Sequence, residues 1–278
     1  MSAAPGAVSL RGPRELYYDW ERAHWAAQDI DLTRDGADWD GLDAGERDLL
    51  YWVLSSLMVA EERISTQFCG LVMAQDDEEE GAFLSTQLVD EVRHMHFYAR
   101  FRDEVIAEPA AIAAHVARAR ETLGAPFRTI FDEALVEAHN RLRIEPGNRE
   151  AKVEFVTTYH MVIEGTLGLT ASHFLLDLLR DRELLPGFVD GYSRIAADEQ
   201  RHIAYGTWFL REAVSEDVAL GDVVRRRVTE LLPAVAESVS LPSVGAWDML
   251  GVDDGALAEF GLAALTRRLD LIGVSLRS

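Results

Sequence analysis

One pentapeptide pattern occurs twice in the chain, as Asp90-Glu91-Val92-Arg93-His94 and again as Asp198-Glu199-Gln200-Arg201-His202, each time within apolar residues at helical spacing. On an α-helix a Glu and a His three residues apart project from nearly the same side, so each copy can offer one carboxylate and one imidazole to a shared ion. A single Glu-x-x-His arises often by chance on surface helices. Two copies, each led by Asp, read as two halves of a dinuclear metal site and demand a fold in which two helices face each other across a core.

The remaining sequence supplies those helices. Asp43-Ala44-Gly45-Glu46 is a capped helix start, and apolar residues then recur from Leu49 through Val72, so a helix is expected over about 43–75. Further helices are expected over about 81–106, 110–122 with Pro109 opening it, and 126–143. A long one follows Pro146-Gly147-Asn148 to about Arg182, another follows Pro186-Gly187 and carries the second Glu-x-x-His, and two more cover about 218–239 and 254–271. No run alternates as a strand would, so the fold class is all-α. Residues 1–14, rich in small residues, Gly and Pro, read as a mobile tail, and 15–278 as a single domain without an internal linker.

Composition narrows the function. A net charge of -21 and a pI near 4.7 argue against a nucleic-acid surface, which needs clustered Lys and Arg. Cys69 is the only cysteine, which excludes an intrachain disulfide and a thiolate-rich metal site and fits a reducing cytoplasm. No membrane span is expected, because even the apolar run from Leu49 to Ala60 ends at Glu61 and Glu62, and the N-terminus lacks the pattern of a secretory signal.

Two carboxylates interrupt apolar helices elsewhere: Glu164 within Tyr159 to Leu169, and Glu61 or Glu62 after Leu57-Met58-Val59-Ala60. Burying either without a partner is costly, and a metal removes that cost. Ferritin-like two-metal proteins place one Glu from each of two helices, and a Glu-x-x-His from each of two others, into the core of a four-helix bundle. The chain order carboxylate, Glu-x-x-His, carboxylate, Glu-x-x-His fits that arrangement, with the additional helices outside it. Oxygen and imidazole donors suit manganese and iron, and four carboxylates balance two divalent ions. Asp90 and Asp198 are placed to accept the second ring proton of the histidine in the opposite pair. Of the other histidines, His24, His115 and His139 read as surface, and His96, His160 and His173 stay unassigned.

With these residues the chain resembles the small subunit of ribonucleotide reductase and, more closely, the related ligand-binding oxidases with a Mn/Fe centre. Trp25-Ala26-Ala27-Gln28-Asp29-Ile30-Asp31 looks like the Trp-containing N-terminal segment of both groups, and in the reductase the matching Trp belongs to an electron path toward the metals. Spacing from Trp25 in those families selects Glu61 over Glu62. The stretches Phe131 to Leu142, Ile163 to Leu167 and Asp198 to Ile203 are more similar to the oxidases. The resemblance implies the ligand set Glu61, Glu91, His94, Glu164, Glu199 and His202, holding Mn/Fe by preference or Fe/Fe. It also implies O2 as co-substrate, a long-chain acyl or other apolar ligand, a homodimer through the first long helices, and an electron donor it does not name. It puts Tyr159 and Ile64, an Ile in place of the usual Val, where the oxidases form an ether crosslink. Tyr98 stands where the reductase subunit keeps its radical tyrosine and the oxidases have Phe. A radical-generating reductase subunit using Tyr98 is therefore the alternative reading, although residues 267–278 lack the tyrosine-bearing acidic tail of that subunit. An iron-storage protein of ferritin type is a third reading, against which the Trp25 segment and the extra helices stand.

Overall fold

The computed structural model describes residues 9–75, 77–108, 110, 112–121, 123–239 and 255–276, and every regular element among them is helical. In chain order these are α1 (Pro13–Arg22), a 3-10 turn (Ala27–Asp29), α2 (Asp35–Gly41), α3 (Ala44–Gln67), α4 (Cys69–Met73), α5 (Glu78–Glu104) and α6 (Ile112–Arg120). Then come α7 (Ala125–Arg128), a π-helical turn (Thr129–Ala134), α8 (Leu135–Ile144), α9 (Arg149–Val156), a π-helical segment (Thr157–Gly168) and α10 (Leu169–Asp181). The long α11 (Pro186–Glu216), α12 (Leu220–Ser238) and α13 (Ala256–Leu271) complete the order. The bundle consists of α3, α5, the continuous run α9 to α10, and α11, and α1 lies across α5.

Local capping chemistry starts several of these helices, and it starts α5 at Glu78, within the acidic cluster and ahead of the start expected at about 81. Asp43 accepts from the Glu46 amide at 2.9 Å while the Glu46 carboxylate accepts from the Asp43 amide at 3.0 Å, a complete capping box on α3. Asp77 accepts from the amides of Glu79 and Glu80 at the start of α5, and Asn148 accepts from Ala151 at the start of α9. The start of α11 has no such cap of its own, and α2 provides one from a distance. The buried Asp35 accepts from the amides of Gly187 at 2.8 Å and Phe188 at 2.7 Å, and Asp38 accepts from the amide of Leu185 at 2.9 Å. Two carboxylates thus meet the positive end of the helix that carries the second Glu-x-x-His.

Some sequence expectations change. Helices α1 and α2 were not anticipated, and α1 begins at Pro13, inside the segment expected to be a tail; residues 1–8 of that segment, Pro109 and residue 254 lie outside the described residues. The helix expected over 43–75 breaks at Phe68. His139, expected at the surface, is half-buried with Nδ1 2.6 Å from the Gln67 carbonyl, and that bond draws the carbonyl out of the helical ladder. A Cβ at Gly70 would lie 2.6 Å from the same nitrogen, so the absent side chain admits the imidazole. His115 is also buried, because Asp103 lies 3.0 Å from its Nε2 and Arg118 3.1 Å from its Nδ1, which satisfies both ring nitrogens.

The core is divided along the bundle axis. One apolar cluster contains Ile64, Phe68, Phe83, Leu84, Phe155, Tyr159, Tyr205 and Phe209. The other contains Met58, Val59, Phe97, Tyr98, Phe101, Tyr192 and Ile195. On α3, α5 and α11 the acidic and histidine residues fall between the two sets, so a polar layer is sealed above and below by hydrocarbon. The continuous run Arg149–Asp181 is long and apolar enough to cross a membrane, and 50% of its apolar window is buried inside the protein.

Because Asp35 satisfies two orphan amides of α11, Asp35→Ala should lower the unfolding free energy by about 1–3 kcal/mol, with Asp35→Asn intermediate. Urea denaturation monitored by far-UV circular dichroism measures the loss; an unchanged midpoint would show that the remote cap contributes nothing.

Candidate metal centre

The polar layer brings Glu61, Glu91, His94, Glu164, Glu199 and His202 together. Glu61, Glu91, His94 and Glu199 each offer one atom to a first group, and Glu91, Glu164, Glu199 and His202 to a second; within each group those atoms lie within 4.8 Å of one another. Glu91 and Glu199 belong to both groups, so either could serve two ions at once. Glu91, His94 and His202 are fully buried, Glu164 and Glu61 nearly so, and Glu199 keeps a small exposure. Glu62, the competing candidate on α3, points instead to Arg120, which it meets at 2.7 Å.

Both imidazoles are oriented by their outer nitrogens. His94 Nε2 lies 3.1 Å from Asp198 and His202 Nε2 lies 3.2 Å from Asp90, so each aspartate accepts from the histidine of the opposite pair. The inner Nδ1 atoms face carboxylates. That of His94 is 3.5 Å from Glu61, 3.4 Å from Glu91 and 3.5 Å from Glu199. That of His202 is 3.1 Å from Glu164, 3.3 Å from Glu91 and 3.8 Å from Glu199. A small divalent ion takes such donors at roughly 2.0–2.2 Å, which spaces neighbouring donor atoms about as far apart as these are.

The donor set tests directly whether cations fit. One oxygen each of Glu61, Glu91, Glu164 and Glu199, and Nδ1 of His94, are buried without a hydrogen-bond partner among the described residues. Unpaired buried carboxylate oxygens are costly, and their convergence on two points makes a cation at each the economical resolution. The protonation chemistry agrees. Burial, and then the charge of Glu199, push the Glu164 carboxyl well above the usual carboxylate range, and burial does the same for Glu61. Burial alone would raise Glu91 too, but the neighbouring imidazoles His202 and His94 hold it at about 2. Burial by itself would lower both histidines, yet Glu61 beside His94 and Glu164 beside His202 drive them well above their ordinary value.

Around this layer the repeated pattern builds a brace. Arg93 lies 2.9 Å from Asp90 and 3.4 Å from Asp198; Arg201 pairs with Asp198 and lies 3.4 Å from Asp90. The buried Trp25 donates to Asp198 at 2.9 Å, so Trp25, Asp198 and His94 form a hydrogen-bonded chain. Tyr159, fully buried, donates to Glu91, and its phenol is raised by burial and by Glu164. Ile64 is buried in the same apolar cluster as Tyr159. Tyr98 is buried with no partner for its hydroxyl among the described residues, 6.3 Å in ring centroids from Tyr192.

Sequence reasoning missed Gln87, Arg93, Arg201, His160 and Trp20. Gln87 donates to Tyr159 at 3.0 Å and to Glu164 at 3.2 Å, and its carbonyl lies 3.3 Å from His160. The arginines had a signal, since each occupies the fourth position of the repeated pentapeptide. Gln87 and His160 had none beyond lying on the same helices as candidate ligands. The long helix around Glu164 was expected, but not its π-helical hydrogen bonding over Thr157–Gly168. A Cβ on Gly165 would sit 2.6 Å from the His160 carbonyl, so the glycine permits the close approach that the wider helix needs.

The sequence from 12 to 255 matches the family model described as ribonucleotide reductase, small chain. The chain belongs to the ribonucleotide reductase small-chain family. Among solved structures, this family member superposes on a variant of an R2-like ligand-binding oxidase with an aerobically reconstituted Mn/Fe cofactor, at a TM-score of 0.84 and 24% identity over 96% of this chain and 98% of that one. A further variant of such an oxidase, with an anaerobically reconstituted Mn/Fe cofactor, superposes at a TM-score of 0.82 and 25% identity over 96% and 94%. The shared fold is thus the ferritin-like one, and the carboxylate and histidine cluster of this chain is suited to a dinuclear site.

Titration of the metal-free protein with Mn(II) or Fe(II) should saturate at two ions per chain and raise Tm. The protons held by His94 and His202 must leave as ions bind, so affinity should fall as pH is lowered. Calorimetry in buffers of different ionisation enthalpy counts those protons, and none released would contradict the donor assignment. Asp90→Asn and Asp198→Asn should each weaken binding roughly 10–100-fold.

Proposed function

We propose that the protein is an O2-activating oxidase with two metal ions, Mn/Fe by preference and Fe/Fe otherwise, acting on a bound apolar ligand of long-chain acyl type. Glu61, Glu91, His94, Glu164, Glu199 and His202 would hold the metals. The observation that carries this reading is that four buried or nearly buried carboxylates, each with an oxygen lacking a partner among the described residues, and two imidazoles fall into two donor groups that share Glu91 and Glu199. Family membership and the Mn/Fe cofactors of the structural neighbours support the choice of metal.

When bound, the reduced metal pair supplies electrons to O2 and the oxidising power for C–H cleavage. The protein's own residues do the rest. The two apolar clusters keep water from the layer, which strengthens every charge interaction inside it. Asp198 and Asp90 fix the rings of His94 and His202, and the arginine brace holds both aspartates. Tyr159 keeps its phenol proton on Glu91, with Gln87 fixing the oxygen from the other side. In this reading Tyr159 and Ile64 join by an ether bond: the phenol hydrogen and the Ile64 Cβ hydrogen are lost as one C–O bond forms, with two electrons and two protons passing to O2.

A second reading is favoured by one specific feature. Tyr98 is buried with a free hydroxyl, and burial, then Tyr192 and Glu61, raise its phenol well above the ordinary value, so it stays protonated until oxidised. That suits a radical tyrosine of a reductase subunit. We retain residues 15–278 as one domain and the homodimer through the first long helices as parts of the proposal, the latter supported by Val89 and Val92, exposed on α5.

Peptide mass spectrometry after aerobic loading with Mn(II) and Fe(II) should show loss of two hydrogen atoms, localised to the peptides bearing Tyr159 and Ile64 and absent in Tyr159→Phe. Unchanged mass together with a tyrosyl EPR signal that Tyr98→Phe abolishes would move the protein to the reductase reading. Mineral growth beyond two ions per chain would instead point to storage.

A further inference from the structure

A second tryptophan of the N-terminal segment is hydrogen-bonded to the centre through the other aspartate. Trp20, on α1 and partly exposed, donates from its indole nitrogen to Asp90 Oδ1 at 2.8 Å, and Asp90 Oδ2 lies 3.2 Å from His202 Nε2. The chain Trp20, Asp90, His202 is thus the counterpart of Trp25, Asp198, His94. The two end at different donor groups, since His94 belongs to one and His202 to the other.

Both indoles donate to a carboxylate, and Arg93 lies 2.9 Å from the Asp90 oxygen that accepts from Trp20, so the difference between them is exposure and the cation over the ring. Trp25 is 6% exposed, with the Arg93 guanidinium 5.2 Å above its ring, so positive charge left on that indole would be repelled. Trp20 stacks on Tyr17 at 6.4 Å and meets the exposed His24 edge-on at 5.7 Å, so it stands between solvent and the buried layer. Its hydrogen bond ends on a carboxylate, which can take up the indole proton's charge as an electron leaves.

We propose that Trp20 is a redox-active residue, relaying single electrons from a donor at the protein surface to the metal position held by His202, along a route separate from that of Trp25. This rests on the two-metal reading above. One electron passes from the indole to the oxidised ion, while the Nε1 proton shifts toward Asp90 within their hydrogen bond. A one-electron reductant of the ferredoxin or flavoprotein class then restores the electron, and the proton returns to Nε1. The net change is one donor oxidised and one metal ion reduced.

The test uses the fully loaded, oxidised protein mixed anaerobically with reduced methyl viologen. Stopped-flow absorbance follows the viologen, freeze-quench EPR follows indole radicals formed during oxidation, and metal content and Tm are measured for each variant. Trp20→Phe should slow transfer of the first electron roughly tenfold and abolish an indole radical signal seen in the wild type. Trp208→Phe, a change at another partly exposed tryptophan, should do neither. Should Trp20→Phe lose metal or stability, a fluorotryptophan at position 20 decides, because it keeps the hydrogen bond while making the ring harder to oxidise. Wild-type rates and radical yield in variants that hold two ions would overturn the relay. A wild-type chain that binds fewer than two ions would instead sink the two-metal reading itself.

Discussion

Everything in this fold answers to one electrostatic demand, the burial of acidic side chains at one level of a helical bundle. Glu61, Glu91 and Glu164 are withdrawn from water at the centre of the protein, and Glu199 is nearly so. Like charges this close cannot all remain ionised without compensation, and the cost of an unpaired buried charge is several kcal/mol. Burial raises the Glu61 and Glu164 carboxyls, Glu61 raises His94 and Glu164 raises His202, all well above their ordinary values, and two divalent cations would answer that demand directly. Arginines cannot do so, because Arg93 and Arg201 are already engaged with Asp90 and Asp198 outside the ring of donors.

The repeated pentapeptide is economical because its four defined positions divide three tasks between them. Glu and His face inward to the donor groups, Asp crosses to the histidine of the other copy, and Arg ties the two aspartates together. The crossing matters: neither copy can orient its own histidine, so α5 and α11 must dock in register before either imidazole is fixed. The same aspartates reach outward to Trp20 and Trp25 on the N-terminal segment, which couples that segment's position to the centre.

Sequence legibility followed this logic. The candidate donors could be read because a carboxylate amid apolar helix residues is anomalous, and the caps at Asp43 and Asn148 could be read because their signals are local. The break at Phe68 could not, since it depends on His139, which is remote in sequence and bonds to the Gln67 carbonyl. Nor could the cap on α11, whose acceptor is Asp35 on another helix. His115 was misplaced at the surface because the Asp103 that makes its burial tolerable lies on the preceding long helix. Signals carried by neighbours in sequence were visible, and the tertiary contacts that could be anticipated were those that follow from the repeated pentapeptide, Asp90 with His202 and Asp198 with His94.

The π-helical segment explains why the bundle carries additional helices. Widening the turn around Tyr159, His160 and Glu164 disturbs the usual carbonyl partners of a helix, and buried carbonyls must find others. Arg268 from α13 donates to the Gly165 carbonyl at 2.7 Å, and burial of that guanidinium, with Arg267 nearby, lowers it to about 10. Arg227 from α12 donates to the Thr158 hydroxyl at 2.8 Å and to the Ala134 carbonyl at 2.7 Å, tying one π-helical stretch to the other. Residues 158 and 165 bracket Tyr159 and Glu164, so both arginines hold the piece of backbone on which the phenol and the third carboxylate are displayed. A minimal four-helix bundle would lack both of these arginine contacts to the π-helical segment. On this view α12 and α13 are part of the apparatus that keeps the centre in shape.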